Sequence, residues 1–124
     1  MGQMAGRDPA LIGHDAFTLE ESAALFGRLL DLPQPPDGLI CANELGLLGA
    51  LHALRQRGGE PGRDVDLVSR DGTGMAAYLA VAVIRHLVDM AEVGRLLVQA
   101  LVARIEQPHA PPVQTVLPGR MQFP

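Results

Sequence analysis

One stretch of the sequence decides the fold, and it reads Asp37-Gly38-Leu39-Ile40-Cys41-Ala42-Asn43-Glu44-Leu45-Gly46-Leu47-Leu48-Gly49-Ala50-Leu51. Its first part, Gly38 to Ala42, is a short apolar run of strand length. From Leu45 onward, leucines recur at three-residue intervals, which is helical spacing. A continuous apolar run that leads at once into a helix is typical of a buried parallel strand. The stretch therefore predicts one β-α unit of an α/β sheet.

Two polar residues, Asn43 and Glu44, stand between the predicted strand and the predicted helix. In open α/β sheets, ligands bind beyond the carboxyl ends of the strands, which is where this pair falls. Asn43 can also cap the helix, and Glu44 lies in its first turn, where the helix dipole favours a negative charge. From spacing alone, a ligand site and a simple helix cap are both open.

Working outward, strand and helix patterns alternate along the chain. Thr18 and Glu21 have the spacing of a capping box, which predicts the start of the first helix. The alternation predicts an α/β fold with a parallel sheet and helices on its faces. The predicted strands are residues 11–14, 38–42, 65–69, 80–84 and 113–117, and the predicted helices are 19–31, 45–57 and 89–106. The last helix is expected to bury Val93, Leu96, Leu97, Ala100, Leu101 and Ile105.

Composition narrows the function classes. A chain of 124 residues forms one domain at most, and residues 1–10 are expected to be a flexible lead-in. The net charge of −4 argues against nucleic-acid binding by this chain itself. We expect no transmembrane segment, no signal peptide and no membrane partner, hence a cytoplasmic protein. The single cysteine, Cys41, is expected to be a small buried apolar side chain.

Three polar sets follow predicted strands, and they would converge if those strands were neighbours. The sets are His14 with Asp15, Asn43 with Glu44, and Arg70 with Asp71 and Thr73. Their convergence would form the mouth of a small-molecule pocket. The alternative is that these loops are polar only because loops of α/β proteins usually are.

No catalytic constellation is found in the sequence. The loop Ser69-Arg70-Asp71-Gly72-Thr73 is similar to the D-x-D-G-T loop of haloacid-dehalogenase-type phosphatases, but Ser69 stands where the nucleophilic carboxylate is needed. Gly72-Thr73-Gly74 is not followed by a Walker lysine. The four histidines lack metal-ligand spacing, and no G-x-S-x-G elbow is present. We therefore expect no enzyme, no metal and no cofactor.

The central stretch resembles the effector-binding region of LacI/GalR-family transcriptional regulators. Residues 36–58 follow the family pattern P-D-A-(I/V)-x-x-x-N-D-x-x-A-x-G-A-(L/M)-x-A-(L/A)-x-x-x-G. Residues 61–71 are similar to the family strand P-x-D-(I/V)-x-(I/V)-(V/I)-G-(F/Y)-D-D. Three further pieces agree in the family's order: Phe17-Thr18-Leu19-Glu20-Glu21-Ser22, Val93-Gly94-Arg95-Leu96-Leu97 with Ala103-Arg104-Ile105-Glu106, and Val113-Gln114-Thr115-Val116-Leu117-Pro118.

The resemblance implies a type I periplasmic-binding-protein-like fold, with parallel sheets in three layers and an effector held between two lobes. Residues 11–124 would form the C-terminal portion of such a domain, since the family's helix-turn-helix and most of its first lobe have no counterpart here. Operator DNA would be bound through a region absent from this chain. The implied effector is a small molecule, a sugar or nucleobase-like compound.

Carried over residue by residue, the resemblance implies that Asn43 and Glu44 contact effector hydroxyls while Asp71 supports the loop across the site. Arg70 and Asp15 are the other candidate effector-binding residues. The chain departs from the family where Glu44 replaces an aspartate, where Asp71-Gly72 replaces Asp-Asp and where Arg70 replaces an aromatic residue.

A part of a two-lobed domain exposes faces that the whole would cover, so we expect self-association, most simply as a homodimer. Two other functions stay open at this point. One is a sugar-uptake receptor of the same fold, and the other is a phosphatase of the haloacid-dehalogenase type.

Overall fold

A computed structural model describes residues 9–124. It contains three α-helices and four β-strands: α1 (Leu19–Leu30), β1 (Gly38–Cys41), α2 (Glu44–Gln56), β2 (Asp66–Asp71), β3 (Ile84–Leu87), α3 (Met90–Glu106) and β4 (Arg120–Gln122). Short 3-10 helices occupy Pro9–Leu11 and Met75–Tyr78. Most of the predicted lead-in, residues 1–8, lies outside the described residues.

The strands form one sheet in the order β1-β2-β3-β4. The first three strands are parallel, as predicted, and β4 pairs antiparallel with β3. The register places Cys41 beside Ser69 and Asp71 beside Leu87, so the carboxyl ends of β1 and β2 meet at one edge. The α/β architecture predicted from the sequence is confirmed, but the sheet is mostly rather than entirely parallel because β4 runs antiparallel to β3.

Helix α1 packs on α2, and α2 in turn packs on β1 and β2. The capping box at Thr18 is confirmed, since its side chain accepts from the amide of Glu21 while the Glu21 carboxylate accepts from the amide of Thr18. The two helices approach closely at Gly49, where an added Cβ would lie 2.5 Å from the Cβ of Ser22. Buried residues of both helices and of β1 and β2 form one core, with Leu47 and Cys41 almost inaccessible to solvent.

The opposite face of the sheet is open. Ile40, which alternates with the buried Leu39 and Cys41 along β1, is 83% exposed. The helices therefore cover only one face of the sheet in the part of the chain that the structure describes.

Three predicted strands are wrong or displaced. Residues 11–14 form no strand, and Gly13 instead lies against the side chain of Leu25 in α1. The apolar run at 80–84 is not a strand before Ile84, because Ala80 has φ 50°, which is not an extended conformation, and pairing with β2 begins only at Ile84. Residues 113–117 form no strand, since pairing with β3 begins at Arg120, beyond Pro118.

Helix α3 has the predicted extent but not the predicted burial. None of its residues is buried, whereas six were expected to be. The helix makes few contacts with the sheet, and its apolar residues form an exposed stripe. The stripe comprises Leu97, Val98, Leu101, Val102 and Ile105, which are 47% to 70% exposed.

Candidate functional site

The candidate site lies at the carboxyl ends of β1 and β2. After Cys41 the chain turns into α2 through Asn43 and Glu44, and after Asp71 it continues into residues 72–74, here called the site loop. Because β1 and β2 are parallel neighbours, both segments emerge at the same edge of the sheet. Two of the three polar sets predicted from the sequence therefore come together, as expected for this fold.

Glu44 joins the start of α2 to the site loop. Its Oε1 atom accepts three hydrogen bonds, from the amides of Gly72 and Thr73, both at 2.8 Å, and from the Thr73 hydroxyl at 3.0 Å. Desolvation by itself would raise the pKa of this carboxyl, but hydrogen bonds from its own amide and from Gly72 and Thr73 outweigh it, so the net pKa is lowered. The side chain is therefore an anion at neutral pH, clamped to the loop through one of its two oxygens.

Asn43 is the N-cap of α2, and its Oδ1 atom accepts from the amide of Gly46 at 2.9 Å. Its backbone carbonyl accepts from the hydroxyl of the buried Ser69 at 3.3 Å. The capping role that the sequence predicted is confirmed. That role engages only Oδ1 of this exposed side chain.

Asp71 contacts the site loop through its buried side chain. Its side chain is completely buried, its Oδ1 accepts from the amide of Gly74 at 2.7 Å, and its Oδ2 lies 3.2 Å from a guanidinium nitrogen of Arg85. Gly74 has φ +79°, a left-handed conformation that glycine adopts without strain. Both carboxylate oxygens are thus occupied within the protein.

Arg85 is the site residue that sequence reasoning missed. It lies in β3, and only 18% of its side chain is exposed. Its position in the sequence could have indicated it, because Arg85 directly follows the apolar run at 80–84. A charged residue that close to a buried segment usually has a partner of opposite charge.

The other two candidate residues are not brought into this cluster. Arg70 is exposed, and because side chains alternate along a strand it projects to the face opposite that of Ser69 and Asp71. Asp15 is exposed in an irregular segment with φ 60°. Within residues 9–124, neither side chain makes a hydrogen bond or ion pair with the site.

The first residue of α3 borders the site loop. A Cβ on Gly72 would lie 3.3 Å from Cγ of Met90, so this position leaves little room for a larger residue. The amide of Val88 also donates to the carbonyl of Asp71, at 3.4 Å. The site loop is therefore bordered by Glu44 of α2, by β2 and by Met90 at the start of α3.

Two classes of feature are absent from residues 9–124. No group of three or more His, Cys, Asp or Glu side chains is arranged to hold a metal ion. No described helix is long and apolar enough to cross a membrane.

Comparison with known proteins gives one family match over nearly the whole chain. The periplasmic binding protein-like domain family matches residues 5–122. The chain is 31% identical over 71 residues to the HTH-type transcriptional repressor CytR of Escherichia coli strain K12, an alignment that covers 57% of this chain and 21% of the repressor. The chain thus spans about a fifth of the length of that curated relative.

Solved structures agree with the family match. A regulatory protein of the LacI family from Chloroflexus aggregans superposes with a TM-score of 0.69 at 28% identity, covering 85% of this chain and 38% of that one. A LacI family transcriptional regulator from Arthrobacter sp. FB24, in complex with lactose, superposes with a TM-score of 0.68 at 27% identity, covering 86% and 40%.

Proposed function

The chain belongs to the periplasmic binding protein-like domain family, which it shares with regulators of the LacI family, and on this basis we propose that it binds a sugar-like effector. In the complete regulator, this binding would control attachment to operator DNA allosterically. DNA contact would be made by a region outside this chain, which agrees with the net charge of −4. A regulator of transcription acts where the DNA is, so a cytoplasmic location is part of the same proposal.

One observation carries the effector proposal: the consecutive residues Asn43 and Glu44, at the carboxyl edge of the sheet, each keep a polar atom outside the bonds that hold the site loop and the helix cap. The three bonds from the site loop all end on Oε1 of Glu44, so Oε2 takes none of them. The cap bond of Asn43 ends on Oδ1, so Nδ2 is not used by it. A carboxylate acceptor beside an amide donor suits two neighbouring hydroxyl groups, because one donates to the carboxylate and the other accepts from the amide.

The charge balance favours a neutral polyhydroxyl compound over an anion. The Asp71 carboxylate is paired with Arg85, and Glu44 adds one negative charge at the edge itself. The lactose bound to the Arthrobacter relative belongs to the same ligand class.

Titration of the isotopically labelled chain with lactose, followed by NMR, tests this proposal. We expect amide shifts at Glu44, Gly72 and Thr73, and loss of these shifts in Asn43→Ala. Thr18→Ala is the matched control, because Thr18 is likewise the N-cap of a helix, α1, but makes no bond to the site loop. Absence of shifts with lactose and a panel of other monosaccharides and disaccharides, up to about 10 mM, would refute sugar binding by this chain.

We also propose that the chain has no catalytic activity of its own. The relatives described above are transcriptional regulators. Against phosphatase chemistry, Ser69 is fully buried and its hydroxyl bonds to the carbonyls of Asn43 and Arg70, while both oxygens of Asp71 are occupied. Magnesium-dependent phosphate release that is lost in Asp71→Asn would overturn this part of the proposal.

The last part of the proposal concerns self-association of the chain through α3. The exposed stripe on α3 is apolar along successive helical turns, and solvent-exposed stripes of this kind are typical of interaction surfaces. We propose that a second copy of the chain covers it. In analytical ultracentrifugation, a dimer that dissociates in Leu101→Glu but not in Gln99→Glu would support this. A monomer at all concentrations would refute it.

A further inference from the structure

Arg85 is a partly buried charge for which the sequence patterns assign no role. It lies on β3, one strand away from the candidate site, and 18% of its side chain is exposed. One guanidinium nitrogen lies 3.2 Å from Oδ2 of Asp71, a side chain with no solvent exposure. A charge removed from water in this way requires a partner, and Asp71 is the acidic partner present.

The pair is connected to the ligand-facing groups through the site loop. Asp71 uses Oδ1 to hold the amide of Gly74, while Arg85 holds Oδ2, so the carboxylate is restrained from two sides. With Gly74 held in its left-handed turn, the amides of Gly72 and Thr73 point towards Glu44. Arg85 therefore contacts Asp71, Asp71 contacts the site loop, and the site loop contacts Glu44.

We propose that Arg85 is a positioning residue for the effector site, which fixes the site loop in the conformation that orients Glu44. This inference rests on the proposed function, because the oriented carboxylate oxygen is the one assigned to the effector. Arg85 contributes no direct ligand contact in this arrangement. Its effect on affinity is transmitted through Asp71 and the loop amides.

Hydrogen exchange at individual amides separates this role from a general effect on stability. In Arg85→Met, exchange at Gly72, Thr73 and Gly74 should accelerate by about tenfold or more, while exchange in β1 and α2 changes much less. Arg85→Lys should restore part of the protection, because an ammonium group keeps the charge but not the guanidinium geometry. The double variant Asp71→Asn with Arg85→Met should be less perturbed than Arg85→Met alone, since no buried charge is left unpaired.

Arg63→Met is the matched control, because Arg63 also forms ion pairs, with Glu60 and Asp64, but at an exposed position away from the site. The proposal is overturned if loop exchange in Arg85→Met equals that in Arg63→Met, or if all amides accelerate equally. If Arg85→Met does not fold, Arg85→Lys and the double variant provide the same comparison.

Lactose affinity distinguishes failure of this inference from failure of the proposed function. A wild-type chain that binds lactose, and an Arg85→Met variant that binds it about tenfold or more weakly, support both. Unchanged lactose affinity in Arg85→Met overturns the positioning role and leaves the function intact. If the wild-type chain binds no sugar while the loop is still released in Arg85→Met, the effector proposal fails and the loop-fixing role of Arg85 stands.

Discussion

Removing the Glu44 carboxylate should cost stability through the site loop rather than through α2. In Glu44→Ala, three donors lose their acceptor: the half-buried amide of Gly72 and two groups of the exposed Thr73. A net hydrogen bond contributes about 1 kcal/mol, and water can replace the acceptor for the exposed donors. We therefore expect a loss of about 1–2 kcal/mol in the free energy of unfolding.

Two further variants separate the loop bonds from the charge at the helix terminus. Glu44→Asp keeps the negative charge in the first turn of α2 but shortens the side chain by one methylene group, so the three bonds to the site loop should be strained or lost. Glu20→Ala removes a first-turn glutamate of α1 that makes no bond to the site loop. The charge–dipole effect alone is worth about 0.3–1 kcal/mol.

Urea denaturation measures these differences, and hydrogen exchange at Gly72 and Thr73 locates them. The expected order of destabilisation is Glu44→Ala, then Glu44→Asp, then Glu20→Ala. The reasoning is refuted if Glu44→Ala destabilises no more than Glu20→Ala and leaves exchange at both loop amides unchanged. Such a result would mean that the three hydrogen bonds do not hold the loop in solution.

Three other predictions concern the packing of α1 on α2, the thiol of Cys41 and the ionisation of Glu44. Gly49→Ala should destabilise the chain by about 1–3 kcal/mol in the same urea assay, because the new Cβ would lie 2.5 Å from Ser22 Cβ and 2.8 Å from backbone atoms. Gly46→Ala is the control: its new Cβ would lie 3.5 Å from its nearest neighbour, so this variant should be neutral or more stable by up to about 1 kcal/mol. Burial raises the pKa of the Cys41 thiol from 9.0 to about 12, so at pH 8 a thiol reagent should modify the folded chain only as fast as it unfolds, and rapid labelling without denaturant would contradict this. The free energy of unfolding should also fall as pH rises above 9.0, because the thiol of the unfolded chain ionises at lower pH than the buried thiol. Because the pKa of Glu44 is lowered in the folded chain, its contribution to the free energy of unfolding is present above about pH 4.5 and is lost as pH falls through the folded-state pKa. The urea midpoint should therefore depend less on pH below pH 4.5 in Glu44→Gln than in wild type.

The prediction of elements was most accurate where each element is stabilised by its own neighbours in sequence. The capping box of α1 joins Thr18 to Glu21, and the cap of α2 joins Asn43 to Gly46, in both cases three residues apart. The β1-α2 unit has strong local patterns and was placed almost to the residue. Residue types and spacing carry this information because both partners of each bond lie within one helical turn.

Strand assignments were wrong where pairing depends on what lies beside the chain. The runs at 80–84 and 113–117 have strand composition, yet pairing begins at Ile84 and at Arg120. A strand exists only where a neighbour completes its hydrogen-bond ladder, and no local pattern specifies that register. The helical period of α3 was likewise correct, but burial of its stripe requires a partner surface that residues 9–124 do not supply.

By itself the sequence determined the α/β class, the helix limits, the family and the pair Asn43-Glu44 at the edge of the sheet. Only the tertiary structure decided how that pair is used. Glu44 bonds to residues 28 and 29 positions later, and Asp71 pairs with an arginine 14 positions later in the next strand. It also placed Arg70 on the opposite face and left Asp15 without a bond to the cluster. The physical reason is that charge pairing and loop clamping depend on distances in space, which parallel strand order sets and residue spacing does not.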